Sequence, residues 1–168
     1  MRTSRLCLQP WEMPELDAFH QLWGDPEVIW WGASTDLSES KKILKSIVYP
    51  ASPMPRGCGW FACYLSSGEI AGNVMLQPLK SMPGEIEIGW HFNRVHQGKG
   101  YATEAAEALL KHAFKQLHVH SILALIAPDN TPSRRVAEKT GMKQGEHIIY
   151  DNLPHDVWSI HRTAIICG

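Results

Sequence analysis

The segment Gln97-Gly98-Lys99-Gly100-Tyr101-Ala102 has the residue types and spacing of an anion-binding turn. Its glycines allow a tight turn and let a bulky anion approach the main chain. A helix is predicted to begin near Tyr101, and the first N–H groups of a helix lack partners within it and lie at the positive end of its dipole. The pattern therefore predicts a diphosphate site, to which Lys99 adds a positive charge.

Two other phosphate-binding motifs do not fit this segment. A dinucleotide fingerprint needs a third glycine at position 103, which is Thr103 here. A P-loop needs Ser or Thr after its lysine, and this chain has Gly100 there. A plain strand–helix turn that binds nothing remains an alternative, because two glycines separated by one residue are a weak signal.

Two acidic residues precede the turn on a strand predicted over 85–92. Strand alternation places Glu85, Glu87, Gly89 and His91 on one face. Because a carboxylate on a central strand is costly unless its face opens on a polar cleft, Glu87 is the leading candidate for a general base, acting through water. The alternatives are a solvated strand face or a carboxylate that accepts from a backbone amide.

Hydrophobic periodicity predicts the elements that position these residues. Strands are predicted over 4–9, 60–66, 70–77, 85–92, 122–126, 142–150 and 155–166. Apolar residues after Tyr101 recur at steps of three and one up to Leu117, as in an amphipathic helix packed on a sheet. The order predicts an α/β fold with a central mixed, mostly antiparallel twisted sheet of about six to seven strands, flanked by about four helices.

Capping residues predict where the other helices begin and end. Pro14 opens a first helix that ends at Gly24, and Asp36 begins a second one with a capping-box arrangement. Asn130 is a cap residue for a helix that Gly141 ends in a left-handed conformation.

Charge and composition exclude several classes of protein. The 168 residues carry 16 basic and 17 acidic groups, with no basic stripe, so no nucleic-acid partner is expected. No run is apolar enough to span a bilayer, and the first residues lack the apolar run of a signal peptide. We therefore expect no membrane partner and a cytoplasmic location. The length fits a single domain over residues 1–168.

The cysteines and histidines predict neither a disulfide framework nor a metal site. The four scattered cysteines are Cys7, Cys58, Cys63 and Cys167. They form no C-x-x-C pair, which indicates reduced thiols. A covalent route through Cys58 or Cys63 has no evident base in the sequence, so buried structural thiols are favoured. The closest histidine pair, His118 and His120, is typical of a surface.

Two segments at a fixed separation resemble the GNAT superfamily of N-acetyltransferases. Glu87-Ile88-Gly89-Trp90 followed by the run from Gln97 to Ala105 is similar to the family's signature segment, and the run from Asn130 to Met142 is similar to its next one. The residues of both segments most resemble the branch of ribosomal-protein N-terminal acetyltransferases. The segment Asp25-Pro26-Glu27-Val28 resembles the same branch. The resemblance covers roughly residues 4–164.

The resemblance implies acetyl-CoA as cosubstrate, and it places specific residues beside it. These residues are Trp90, His91, Phe92, Val95, Gln97, Gly98, Lys99, Gly100, Tyr101, Ala102, Asn130 and Ser133. A main-chain amide within Trp90–Phe92 would polarise the thioester carbonyl. The wider superfamily often has Gln or Arg where this chain has Val95, which weakens a side-chain contact but leaves the backbone cradle.

The resemblance also implies roles for two residues of the second segment. The hydroxyl of Ser133 would protonate the leaving thiolate, and Asn130 would contact the cofactor. The alternatives are that Ser133 only supports the helix start and that Asn130 is a plain cap.

For the acceptor amine, the resemblance points to the first-helix region. Trp30 and Trp31, together with Glu85, would bind the substrate, since an aromatic floor suits an apolar or cationic group. Aromatic residues at such spacing also pack in cores. The sequence leaves the acceptor open between protein N-termini and small amines. A homodimer is possible through the apolar strand 155–166.

The resulting hypothesis is acetyl transfer from acetyl-CoA to a primary amine by direct attack in a ternary complex. The alternatives are a non-catalytic acyl-CoA-binding sensor or interaction module and a plain interaction domain.

Overall fold

The computed structural model describes residues 1–29, 31–79, 82–117 and 119–162. Its strands are β1 (Cys7–Pro10), β2 (Gly59–Tyr64), β3 (Ile70–Pro78), β4 (Ile86–Phe92), β5 (Ser121–Ile126), β6 (Lys143–Tyr150) and β7 (Leu153–His161). Its helices are α1 (Leu16–Trp23), α2 (Leu37–Val48), α3 (Tyr101–Gln116) and α4 (Thr131–Lys139). Short 3-10 turns at Met13–Glu15 and Arg94–His96 precede α1 and the turn into α3.

The strands form one sheet in the order β1-β2-β3-β4-β5-β7-β6. Neighbouring strands are antiparallel except β4 and β5, which are parallel because α3 crosses over between them. The predicted fold class, a mixed and mostly antiparallel sheet with four helices, is confirmed.

Each face of the sheet has its own apolar core. On one face, Leu109 and Leu110 of α3 pack with Val74, Ile88 and Ile122 of the central strands. The other face is covered by α1 and α2, where Trp11, Phe19, Leu22, Ile29 and Leu44 are buried together. Alternation along β4 therefore sends Ile88 to the α3 face and Glu87 to the α1–α2 face.

Local capping follows the sequence, except that Asp36 caps α2 without the predicted capping box. The Asp36 carboxylate accepts from the Ser38 N–H at 2.8 Å, and the Asn130 side chain accepts from the Ser133 N–H at 3.1 Å. Gly141 has φ of 83°, the predicted left-handed stop. Ser4 and Arg5, predicted as strand, precede β1 because their polar groups bond to α3 instead of a neighbouring strand.

The last strand corrects one expectation. We expected the strand 155–166 to offer an edge for a homodimer, but β7 lies inside the sheet and pairs with β5 on one side and β6 on the other. The main-chain N–H and C=O groups of Leu153–His161 therefore already have partners within the sheet. Residues 163–166 of that prediction lie outside the described residues.

The described ranges contain neither a membrane-spanning helix nor a cluster of metal-ligating side chains. None of the helices there is both long and apolar enough to cross a bilayer. No group of three or more potential metal-ligating His, Cys, Asp or Glu side chains was found in the same ranges.

Candidate functional site

The turn from Gln97 to Ala102 exposes a row of main-chain donors. Gly98 and Gly100 have φ of 74° and 80°, in the left-handed region that favours glycine. α3 begins directly after Gly100. Among the described residues, the N–H groups of positions 98–103 have no hydrogen-bond partner, and the first amide that bonds back is that of Glu104, to the Gly100 carbonyl. These donors lie at the positive end of a four-turn helix, which is the arrangement that binds a diphosphate.

The N-terminal segment braces this turn, a feature that the sequence reasoning missed. The Arg5 guanidinium donates to the Lys99 carbonyl at 2.8 Å and to the Glu104 carboxylate at 2.6 Å. It also lies over the Tyr101 ring, 4.7 Å from the centroid. Arg5 therefore fixes both sides of Gly100. No local pattern signals the contact, because residues 5 and 104 are 99 positions apart.

Glu104 collects four donors from that segment. Thr3 and Ser4 donate their hydroxyls, and Arg5 donates both its main-chain N–H and its side chain. Burial by itself would raise the pKa of Glu104, but these hydrogen bonds outweigh it and lower the pKa to about 2. The carboxylate is consequently ionised at all ordinary pH values and ties the start of α3 to the chain's first residues.

Strand β4 presents its main chain in two directions. The Asn93 N–H donates to the Ala71 carbonyl directly opposite, so every second residue back along β4, including His91, also turns its main chain to β3. Trp90 and Phe92 turn theirs towards β5. Within the described residues, β4 and β5 are paired only at Glu87 and Leu123, so both of these residues lie beyond the pairing. Either one can supply the amide predicted within Trp90–Phe92, whereas the His91 main chain cannot.

Other residues predicted at the cofactor are distributed around the same turn. The Gln97 side chain donates to the Phe92 carbonyl at 2.9 Å and so holds the turn against the end of β4. Val95, on the 3-10 turn, is 71% exposed and fills no core position. Lys99 is exposed, and Ala102 lies in the first turn of α3.

Glu87 lies half-buried on the α1–α2 face, and only Gln77 donates to it among the described residues, at 3.2 Å. Burial raises its pKa, the Gln77 hydrogen bond opposes that rise, and the charge of Asp151 in the β6–β7 turn adds to it. Its partial burial and its bond to Gln77 disfavour the alternative of a freely solvated face for Glu87. A carboxylate with a raised pKa is suited to take up a proton.

Ser133 and Asn130 lie at the start of α4, which follows β5. Because β4 and β5 are parallel, their carboxyl ends lie at the same edge of the sheet, and the starts of α3 and α4 share that edge. Asn130 caps α4 by accepting from the Ser133 N–H, which agrees with the alternative that it is a plain helix cap. Whether either residue also contacts a cofactor stays a prediction.

The predicted acceptor residues have different placements. Trp31 is 48% exposed and lies beside His91, with ring centroids 5.3 Å apart. Trp23, from the same region, is buried in the α1–α2 core, and its ring centroid lies 5.2 Å from that of His91. Trp30 lies outside the described residues. Glu85 lies one residue before β4, where its carbonyl accepts from the Leu79 N–H at 2.9 Å, and its role at the acceptor stays a prediction.

The thiols are structural in character. Cys7, Cys58 and Cys63 are free, and burial raises the pKa of Cys58 to about 11 and that of Cys63 further. Raised pKa values suppress the thiolate that a covalent route would need.

Comparison with known proteins identifies the family. Residues 5–143 match the family model described as an acetyltransferase (GNAT) domain. The chain belongs to the GNAT acetyltransferase family. Within this family, it is 30% identical over 134 residues to the uncharacterized N-acetyltransferase p20 of Bacillus licheniformis, which covers 78% of this chain and 75% of p20. Family membership makes the chain an acetyl-CoA-dependent N-acetyltransferase.

Solved structures confirm the GNAT fold. A GNAT-family acetyltransferase from Bacillus anthracis superposes with a TM-score of 0.80 at 28% identity, covering 96% of this chain and 97% of that one. The spermidine N-acetyltransferase of Vibrio cholerae, solved with CoA and spermine, superposes with a TM-score of 0.80 at 18% identity, covering 98% and 99%. At that identity the second likeness shows the fold alone.

Proposed function

We propose that this GNAT enzyme binds the diphosphate of acetyl-CoA on the main-chain N–H groups of positions 98–103 and transfers the acetyl group to a primary amine by direct attack in a ternary complex. The observation that carries the proposal is the row of unpartnered amides at the start of α3. They fit an anion that needs several donors at once. Arg5 and Gln97 keep these donors in place from either side.

Three groups of this chain carry the chemistry. An alkylamine has a pKa of ~10 and an α-amino group one of ~8, so a proton must leave during the reaction. Glu87 takes it, through water, and the neutral amine nitrogen then bonds to the thioester carbon. The N–H of Trp90 or Phe92 donates to the carbonyl oxygen as negative charge develops there. Ser133 donates its hydroxyl proton to the sulfur as the carbon–sulfur bond breaks, and it regains a proton from the nitrogen, which gives up its second proton as the amide forms.

The acceptor cleft lies on the α1–α2 face, beside Glu87. Glu87 and Asp151 give this part of the cleft a negative field that attracts a protonated amine. The half-exposed ring of Trp31 lies further along the same face. The protonated amine arrives as a cation, loses a proton to Glu87 and attacks as a neutral nucleophile.

Two measurements test the proposal in sequence. At a hundredfold excess over its Kd, acetyl-CoA adds about 2.7 kcal/mol to the unfolding free energy, which is a readily measured thermal shift. Release of free CoA is then followed over a panel of peptides, amino sugars, polyamines and alkylamines. Binding without CoA release from any amine contradicts the transfer step, and no thermal shift at millimolar acetyl-CoA contradicts the proposed site.

A further inference from the structure

A chain of buried hydrogen bonds leads from Trp11 through Asn73 to His91. The Trp11 indole donates to the Asn73 side-chain oxygen at 2.7 Å, and the Asn73 amide nitrogen lies 3.3 Å from Nδ1 of His91. Asn73 is fully buried and Trp11 is 3% exposed, so water does not compete for the bond between them. Neither the family match nor the transfer chemistry assigns a role to this chain of bonds.

The chemistry of its first member fixes the direction of every bond. An indole N–H is a donor only, so the Asn73 atom that faces Trp11 must be its oxygen. The Asn73 nitrogen therefore faces His91, and because it carries two hydrogens and no lone pair, it must donate. Nδ1 of His91 is then an acceptor, and in the neutral ring the proton lies on Nε2.

The surroundings of His91 keep the ring neutral. Trp23 and Trp31 flank it, with ring centroids at 5.2 Å and 5.3 Å. Burial lowers the pKa of His91 to about 4, so the imidazolium form is negligible at neutral pH. His91 is thus held as a single tautomer beside two aromatic rings, and that of Trp31 is half exposed.

We propose that the Nε2–H group of His91 is the specificity-determining donor of the acceptor cleft, and that it selects primary amines that also carry a neutral oxygen acceptor, a carbonyl or a hydroxyl. This inference rests on the proposed function. His91 and Glu87 lie on the same face of β4, four residues or roughly 13 Å apart. The amine is bound near Glu87 and the oxygen near His91.

The same geometry discriminates against acceptors with a second ammonium group. An ammonium needs a hydrogen-bond acceptor, but Nδ1 of His91 is already bonded to Asn73 and Nε2 carries a proton. A polyamine therefore finds no partner at His91, whereas a peptide N-terminus or an amino sugar does. Peptides and amino sugars share this chemistry. The release of CoA over the panel of peptides and amino sugars shows which of the two classes the enzyme uses.

The tautomer is tested without any ligand by nitrogen NMR of the ¹⁵N-labelled protein. The protonated and bare nitrogens of a neutral imidazole have well-separated chemical shifts, and His91→Gln identifies the signals. At neutral pH we expect a bare Nδ1 and a protonated Nε2. Asn73→Asp, which replaces the donor by a carboxylate, should move the proton to Nδ1. A protonated Nδ1 in the wild-type protein overturns the inference.

The selective role is tested by kinetics with a free-amine tetrapeptide and with spermidine. His91→Leu should raise KM for the peptide roughly three- to tenfold, the effect of one neutral hydrogen bond, with little change in kcat. His91→Gln, which keeps an N–H donor, should recover most of the loss, and the exposed His120→Leu should change nothing. The KM for spermidine should not respond to His91→Leu.

An equal rise in KM for both acceptors overturns the selective role. If the wild-type enzyme acetylates no amine, the proposed function fails and the acceptor role fails with it. The NMR result separates these cases, because the tautomer does not depend on turnover.

Discussion

The proposed cofactor turn (Gln97–Ala102) and the proposed acceptor face (the face of β4 that carries Glu87 and His91) are close in the chain but are made of different groups. The turn offers main-chain N–H donors, placed by two left-handed glycines and the start of α3. The acceptor face offers side chains, each fixed by a partner from another element: Gln77 for Glu87, and Asn73 for His91.

This difference separates what is general in the enzyme from what is particular to it. A main-chain cradle tolerates many side-chain changes, because only the backbone conformation and the absence of negative charge matter. The acceptor face depends on individual side chains and on the direction of their hydrogen bonds. Substitutions should therefore affect cofactor binding only when they alter the backbone or charge of the turn, and acceptor use when they alter single groups.

The largest expected effect is from Gly98→Asp. A side chain at φ of 74° strains the backbone, and a carboxylate there repels the diphosphate. We expect a cost of about 3 kcal/mol or more, roughly a hundredfold in the Kd of acetyl-CoA by titration calorimetry.

Gly68→Asp is the matched control for that variant. Gly68 has φ of 86°, and like Gly98 it has open space where a Cβ would lie, but it is in the β2–β3 hairpin. If both variants weaken acetyl-CoA binding equally, strain alone explains the loss, and the turn is not the anion site.

The next effect concerns the acceptor face. Glu87→Gln removes the proposed base, and kcat should fall about a hundredfold while the Kd of acetyl-CoA is unchanged. Since burial raises the pKa of Glu87, wild-type activity should be lost as the pH falls through a value above the ordinary 4.5. The pH–activity profile of the variant should lack this loss at low pH. Glu107→Gln, exposed on α3, is the control, and a fully active Glu87→Gln enzyme would rule out this base.

Ser133→Ala should give a smaller loss. In the proposed mechanism the hydroxyl protonates the leaving thiolate, a contribution of roughly tenfold in kcat, whereas the Ser133 main-chain N–H that bonds to Asn130 is retained. Single-turnover kinetics with the wild-type enzyme as reference would measure it. A weakened Kd for acetyl-CoA with normal kcat would make Ser133 a binding residue instead.

The smallest expected effect is on stability, from the bonds that tie Glu104 to the first residues of the chain. The pKa of Glu104 is lowered to about 2, so its bonds to Thr3 and Arg5 stabilise the fold above the ordinary value of 4.5, and this contribution is lost as the pH falls towards 2. The urea midpoints of wild type and Glu104→Gln should differ at about pH 6 and converge by about pH 2.5. A constant difference would contradict the ionised bridge.

The sequence predicted what local rules determine. The caps Asp36 and Asn130, the stop at Gly141 and the glycine turn before α3 depend on neighbouring residues and were placed correctly. Strand alternation also put Glu87 on the correct face. Contacts between distant residues had no such signal: Trp11 and Asn73 are 62 positions apart, and Arg5 and Glu104 are 99. The interior position of β7 likewise depends on the order of strands in the sheet, which periodicity does not specify.

A crystal structure of the enzyme with CoA tests the central claim most directly. We predict diphosphate oxygens within about 3.2 Å of several main-chain nitrogens of positions 98–103, with Arg5 still bonded to the Lys99 carbonyl. A CoA molecule whose diphosphate lies away from these amides, held by side chains elsewhere on the surface, would contradict the account.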